Sequence, residues 1–501
     1  MGVGLNCEVM FVDWKKREAY AALPRLCGLL LGLLLAVPVP AVLPDIGDSA
    51  GTVVSPAQEY EMGSTFLRQL RGAGKVVSDP ELEDYIQGLG HRLSSLSEGF
   101  SGEFTFFIVD DPTINAFAAP GGFVGVHSGL ILNTKNESEL ASVLAHEISH
   151  VTQHHLARAF EYAKHMSIPM MAAMLGAILV GTQNPAAGQA AMAALQAGNV
   201  QGQINFTRAN EREADSFGID LLERAGYDPY SMARFFERLQ RANRYSEGAN
   251  VPEFLRTHPV TESRIADALN RADSYPKHAY QDHLEFHLVR ARLQVRALRL
   301  KPDRALRYFE DMLRSGKYPA EEVARYGYTE ALINAGQYGR ARVQSDNLLR
   351  VHPEQLAYLL QAARLSIANR HMKTALVDYE RALKLYPNNR PATLGYARTL
   401  LNLGRAAEAT LLLRNYSYAA RVGDGYYRIY AEALEKTGQA GESHMAMAEY
   451  YYRNGDTKLA SAQLKLAQNV PGLDNYQRQR IAARLKEFER EIARAKKEKD
   501  S

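Results

Sequence analysis

The stretch Glu139-Leu140-Ala141-Ser142-Val143-Leu144-Ala145-His146-Glu147-Ile148-Ser149-His150-Val151 decides how the first half of the chain is read. Leu140, Val143, Leu144, Ile148 and Val151 recur at helical spacing, which predicts a helix from about 135 to 160 with one apolar stripe. His146 and His150 flank that stripe. Being four residues apart they share a helix face, where two imidazoles can grip one ion. Neutral imidazole suits zinc, and Glu147 beside the pair can take a proton from a water that the metal activates.

A catalytic zinc needs a third protein ligand and an open position. The arrangement with a third nearby histidine requires glycine at position 153 and histidine at 156; the chain has Gln153 and Leu156. His154 and His155 are turned away from the pair by their helix positions and read as surface or supporting groups. The better source is Asn210-Glu211-Arg212-Glu213-Ala214-Asp215, on a helix that closes at Gly226 with Pro229 beyond. Glu211 and Asp215 are four apart. One can bind zinc while the other hydrogen-bonds a ligating histidine.

Upstream, Phe104 to Val109 is a β-rich run ended by Asp110-Asp111-Pro112. Asn115 to Gly129 reads as two short strands around Pro120-Gly121-Gly122. The glycine-rich run from Phe117 to Gly125 is a candidate site for a substrate added as a β-strand, with Asn115, Phe117, Ala118, Gly121 and Gly122 in contact. The apolar stretch 166–180 and the Ala- and Gly-rich 185–198 are too interrupted for a membrane hairpin. They suggest a cover over the cleft.

The wider chain is 501 residues long, 46% hydrophobic and 23% charged, which excludes a disordered chain and a polytopic membrane protein. A net charge of +3 gives no electrostatic footprint for nucleic acid. Lys15, Lys16, Arg17 and Arg25 precede the apolar run Leu26 to Val37, so 1–41 reads as a cleaved secretory signal peptide. The long stretch before that run points to a start downstream of Met1. Cleavage near Ala41 removes both cysteines, Cys7 and Cys27, and leaves a cysteine-free protein exported to an oxidising compartment.

From about 280 the chain repeats. Pro319, Pro353 and Pro387 are 34 residues apart, as are Gly336, Arg370, Gly404 and Gly438, and Ala341, Ala375, Ala409 and Ser443 keep the same step. A 34-residue helix-turn-helix period is the tetratricopeptide (TPR) signature. The turn at Asn454-Gly455-Asp456 comes half a repeat early, so the last units slip in phase. Gln477 to Lys499 reads as a mixed-charge capping helix, a face also compatible with peripheral contact with a membrane. The expected fold is an α+β zincin-like domain, mainly helical with a small sheet, over 50–275, followed by an all-α TPR solenoid over 280–495.

Asn115 to Ile131 (NAFAAPGGFVGVHSGLI), Glu139 to Val151, Asn210 to Asp215 and Thr257-His258-Pro259 with Arg264 together resemble the M48 family of zinc metallopeptidases. The resemblance implies one zinc per chain, held by His146, His150 and Glu211, with Glu147 as general base and Asp215 supporting a ligand. It points to His258 as a fourth, regulatory ligand that blocks the open position. The other role for His258 is a donor to the substrate carbonyl, which Arg264 would share. With the leader and the repeats, the resemblance implies an endopeptidase that cleaves misfolded or stalled outer-membrane β-barrel proteins and meets their assembly machinery through the TPR domain. The rival expectation is a TPR chaperone or scaffold with little proteolysis.

Overall fold

The computed structural model describes residues 55–159, 207–244, 252–277, 279–416 and 424–500. The leader with its two cysteines, and the segments 166–180 and 185–198 read as a cover, lie outside the described residues. Among the described residues no helix is long and apolar enough to cross a membrane.

Two capped helices come first among the described residues. α1 (Pro56–Gly72) starts with a reciprocal box between Ser55 and Gln58, and α2 (Pro80–Ser94) with Asp79, whose side chain accepts from the Glu81 and Leu82 amides. Three strands follow: β1 (Thr105–Val109), β2 (Ala116–Ala119) and β3 (Phe123–His127), in the order β1-β3-β2. β3 pairs in parallel with β1 and antiparallel with β2, so β2 is an edge. The turn joining β2 to β3 is Pro120-Gly121-Gly122, as the sequence suggests.

After the short α3 (Ser128–Asn133), α4 (Glu137–Thr152) carries the two histidines. The single apolar stripe expected of it is not what forms. Nearly the whole helix is buried, Glu137, Glu139, His146 and Glu147 included. Two of its acidic residues are partnered rather than solvated: Glu137 accepts from the Tyr85 hydroxyl, and Glu139 pairs with Arg238. The helix also ends earlier than expected. Gln153 closes it, His154 takes a left-handed conformation (φ 52°), and a new helical turn runs over 155–159.

α5 (207–224), α6 (Tyr230–Arg244), α7 (Glu253–Thr257) and α8 (Glu262–Ala272) complete the first half around one core. α9 (Leu284–Ala297) belongs to both halves. Phe286, Val289 and Leu293 enter the core of the first, while Leu288, Ala291 and Val295 enter that of the repeats.

The repeats are α10 (Pro302–Ser315), then the pairs α11 (Glu321–Asn334) and α12 (Tyr338–Val351), α13 (Leu356–Ala368) and α14 (Met372–Leu385), α15 (Arg390–Asn402) and α16 (Ala406–Asn415), α17 (Asp424–Lys436) and α18 (Ala440–Arg453). The 34-residue period has a physical basis. Gly336, Arg370, Gly404 and Gly438 all adopt positive φ where the first helix of each pair ends. Ala341, Ala375, Ala409 and Ser443 are all buried, one in the second helix of each pair. The slipped turn leads into α19 (Thr457–Gln468), and α20 (Asn475–Asp500) closes the solenoid with Ile481, Leu485 and Phe488 buried.

The solenoid grips the first half at two places. Asp79 pairs with Arg292 of α9 at 2.9 Å, Glu81 with Arg364 of α13, and Asp84 with Arg390 of α15 at 2.7 Å. Far along the chain, Glu491 of α20 pairs with Arg68 of α1 at 3.1 Å.

Candidate metal centre

Three elements supply the centre: α4, α5, and the loop between α7 and α8. His146 Nε2 and His150 Nε2 stand 3.0 Å apart, pointing at a common place. Glu211 reaches it from α5, with Oε2 3.5 Å from His146 Nε2 and Oε1 3.5 Å from His150 Nε2. His258 arrives from the loop. Its Nδ1 is 3.3 Å from His146 Nε2 and 3.0 Å from Glu211 Oε1, and its ring stacks on Phe254. One donor atom from each of His146, His150, Glu211 and His258 lies within 4.8 Å of the others. Nitrogen and oxygen donors converging this closely suit a divalent cation of zinc's size.

Glu147 follows His146 directly on the same helix. Its Oε1 is buried without a hydrogen-bond partner among the described residues, and His258 Nε2 lies 3.5 Å from it. A buried carboxylate oxygen left open in this way is suited to receive a proton from a water or substrate group.

Behind the ligands the side chains are tied down. Asp215, one turn beyond Glu211, places Oδ1 3.0 Å from His146 Nδ1. Arg264 donates through Nε and Nη2 to the two oxygens of Asp215 at 2.7 and 2.8 Å. Its Nη1 donates to the Pro259 carbonyl at 2.8 Å and lies 2.9 Å from Glu211 Oε2. The charges set the protonation. Burial opposes charge on His146, yet Asp215 and Glu211 hold its pKa up to about 10. Burial and the neighbouring His146 push His150 well below its ordinary value. Glu211, though buried, is held far below the usual carboxylate range by His146 and His258.

Some expected contacts form differently. Arg264 is buried, with its donors engaged by Asp215, Glu211 and a backbone carbonyl. Gly121 and Gly122 are not open to an incoming strand. Both have positive φ in a tight turn, and a Cβ on Gly121 would lie 2.6 Å from Tyr60 Cα, because α1 crosses directly over it. Phe117 faces α1, its ring against Phe66 and Phe107. Ala116 and Ala118 point to the opposite face, the one that packs on α4, and Ala118 is half-buried. Asn115, just before β2, is buried, and its Oδ1 has no hydrogen-bond partner among the described residues.

Of the two places the sequence left open for His155, surface or support, the fold gives it the second. It is buried, not rotated to the surface, with Nδ1 2.8 Å from His150 Nδ1 and Nε2 3.1 Å from Glu213 Oε2. Burial pulls its pKa down to about 4.

A paired-histidine helix, an acidic ligand from a later helix and a buried glutamate beside the ligands define a metallopeptidase centre. The chain belongs to peptidase family M48, whose model matches residues 80–272, and residues 366–428 match a tetratricopeptide repeat. It is 36% identical over 446 residues to the β-barrel assembly-enhancing protease of Escherichia coli K12, spanning 88% of this chain and 90% of that one. It is 34% identical over 458 residues to the β-barrel assembly-enhancing protease of Yersinia pestis, spanning 91% and 93%. Identity to the mitochondrial metalloendopeptidase OMA1 of Schizosaccharomyces pombe is 30% over 181 residues, 36% of this chain and half of that one. The chain is therefore a metallopeptidase with an attached TPR solenoid.

Proposed function

We propose that the protein is a periplasmic zinc endopeptidase acting on outer-membrane β-barrel proteins during their assembly, with the TPR solenoid meeting those proteins or their assembly machinery. The convergence of His146, His150 and Glu211 on one point, with the open Oε1 of Glu147 beside it, carries the catalytic part of this reading. His146, His150 and Glu211 hold one zinc per chain. When bound, zinc polarises the scissile carbonyl and acidifies the attacking water. Glu147 takes that water's proton and returns it to the leaving amine. Asp215 and Arg264 keep His146 and Glu211 aimed.

His258 completes the ligand set in the resting arrangement and competes with water for the fourth position; its loop must move before hydrolysis. Substrate adds along the outer edge of β2, unpaired among the described residues, where Asn115 and Ala118 stand near the ligand helix and the main chain supplies the hydrogen bonds. An unfolded β-barrel chain is strand-like and suits such an edge. The relatives' name supports the choice of substrate. Zinc content of the purified protein, with casein cleavage before and after chelation, tests the catalytic reading. Failure of Glu147→Gln to relieve outer-membrane stress, where the wild-type chain does, tests the cellular one.

A further inference from the structure

In an unbroken helix His155 would sit about 140° round from His150, facing elsewhere. The left-handed conformation of His154 breaks the helix and brings His155 back. Two further contacts brace the break: one ring nitrogen of His154 is 3.0 Å from the Gly99 carbonyl, and Gly99 packs so closely on Thr152 that a Cβ there would lie 2.8 Å from its carbonyl oxygen. The result is a chain of contacts from His150 Nδ1 to His155 Nδ1 at 2.8 Å, and from His155 Nε2 to Glu213 Oε2 at 3.1 Å. Arg158 anchors the far end, donating to Glu213 at 2.6 Å.

Only one placement of protons satisfies this chain with a cation in the centre. A lone pair on His150 Nε2 directed at the metal leaves the His150 proton on Nδ1, which donates to His155 Nδ1. The His155 proton then lies on Nε2 and donates to Glu213. His146 is backed directly by the Asp215 carboxylate, whereas His150 has a neutral imidazole between itself and its carboxylate. Metal-ligating histidines draw orientation and basicity from the group on their other nitrogen.

We infer that His155, backed by Glu213 and Arg158, is a positioning residue that fixes the tautomer and ring orientation of His150 for metal binding. The inference rests on the metal reading proposed above. The test uses the full chain and measures Zn²⁺ affinity by competition with a chromophoric chelator, together with the visible spectrum of the Co²⁺-loaded protein. His155→Ala should weaken Zn²⁺ binding about 10- to 100-fold and alter the Co²⁺ bands. His155→Gln should recover most of the loss, since its amide can accept from His150 and donate to Glu213. Glu213→Ala, at a partly exposed site that tolerates truncation, should weaken binding in the same direction. Unchanged Zn²⁺ affinity in both His155→Ala and Glu213→Ala overturns the inference, as does His155→Gln no better than His155→Ala. A wild-type chain that binds no Zn²⁺ overturns the metal reading itself; tight wild-type binding with unaltered variants overturns only the role of His155.

Discussion

Arg264 holds Asp215 by two parallel hydrogen bonds of 2.7 and 2.8 Å, and Asp215 in turn stands 3.0 Å from His146 Nδ1. A fork of this shape cannot be copied by the single ammonium of lysine. Arg264→Lys should therefore weaken Zn²⁺ binding about 10- to 100-fold. Saturating Zn²⁺ should then restore most of the cleavage rate. A zinc-saturated Arg264→Lys that stays inactive would show instead that the guanidinium meets the substrate.

His258 makes the next prediction. With Nδ1 3.0 Å from Glu211 and 3.3 Å from His146, it stands among the groups proposed to hold the zinc. His258→Ala should raise basal cleavage of a short peptide, or self-cleavage, at full zinc occupancy. A drop of about 10² would mean that His258 supports the reacting carbonyl.

The junction between the halves should titrate. Burial alone would raise the Asp79 pKa, but Arg292 beside it brings the carboxyl below its ordinary value. A depressed folded-state pKa contributes stability above the unfolded value, lost as pH falls through the folded one. Asp79→Asn keeps a good helix cap but removes the charge. It should cost about 1.5 to 3 kcal/mol at pH near 7, and the difference should shrink below about pH 4. Thermal melts at the two pH values check this; an equal cost at both contradicts the ion pair.

Ending the chain at residue 280 should destroy the first half, not release it. The cut removes Phe286, Val289 and Leu293 from its core, and losses of this kind typically cost about 2 to 5 kcal/mol per side chain. Such a chain should show no cooperative melt and no peptide cleavage. One that melts cooperatively within a few degrees of the intact protein would refute the shared helix. Functional dissection of the repeats is better done by surface substitution.

Much of this was legible because local rules and chemistry agreed. The spacing of His146 and His150, the pairing of Glu211 with Asp215, the Pro120-Gly121-Gly122 turn and the 34-residue period each survive in the fold. What was not legible depended on partners remote in sequence. Glu137 and Glu139 are buried against Tyr85 and Arg238, partners that the local helical pattern does not show. Arg264 read as a free donor because nothing local reveals Asp215 closing on it. His155 was assigned by helical rotation, and one left-handed residue, His154, undid that arithmetic. Gly121 of the turn serves the passage of α1, a contact made across some sixty residues of chain.

The central claim is that Glu147 is the proton acceptor of a zinc centre it does not ligate. One measurement addresses it most directly: zinc content and peptide cleavage rate of Glu147→Gln beside wild type. The account predicts one zinc per chain in both proteins and a rate lower by about 10² to 10⁴ in the variant. Loss of the zinc, or a variant retaining more than about a tenth of the wild-type rate, would contradict it.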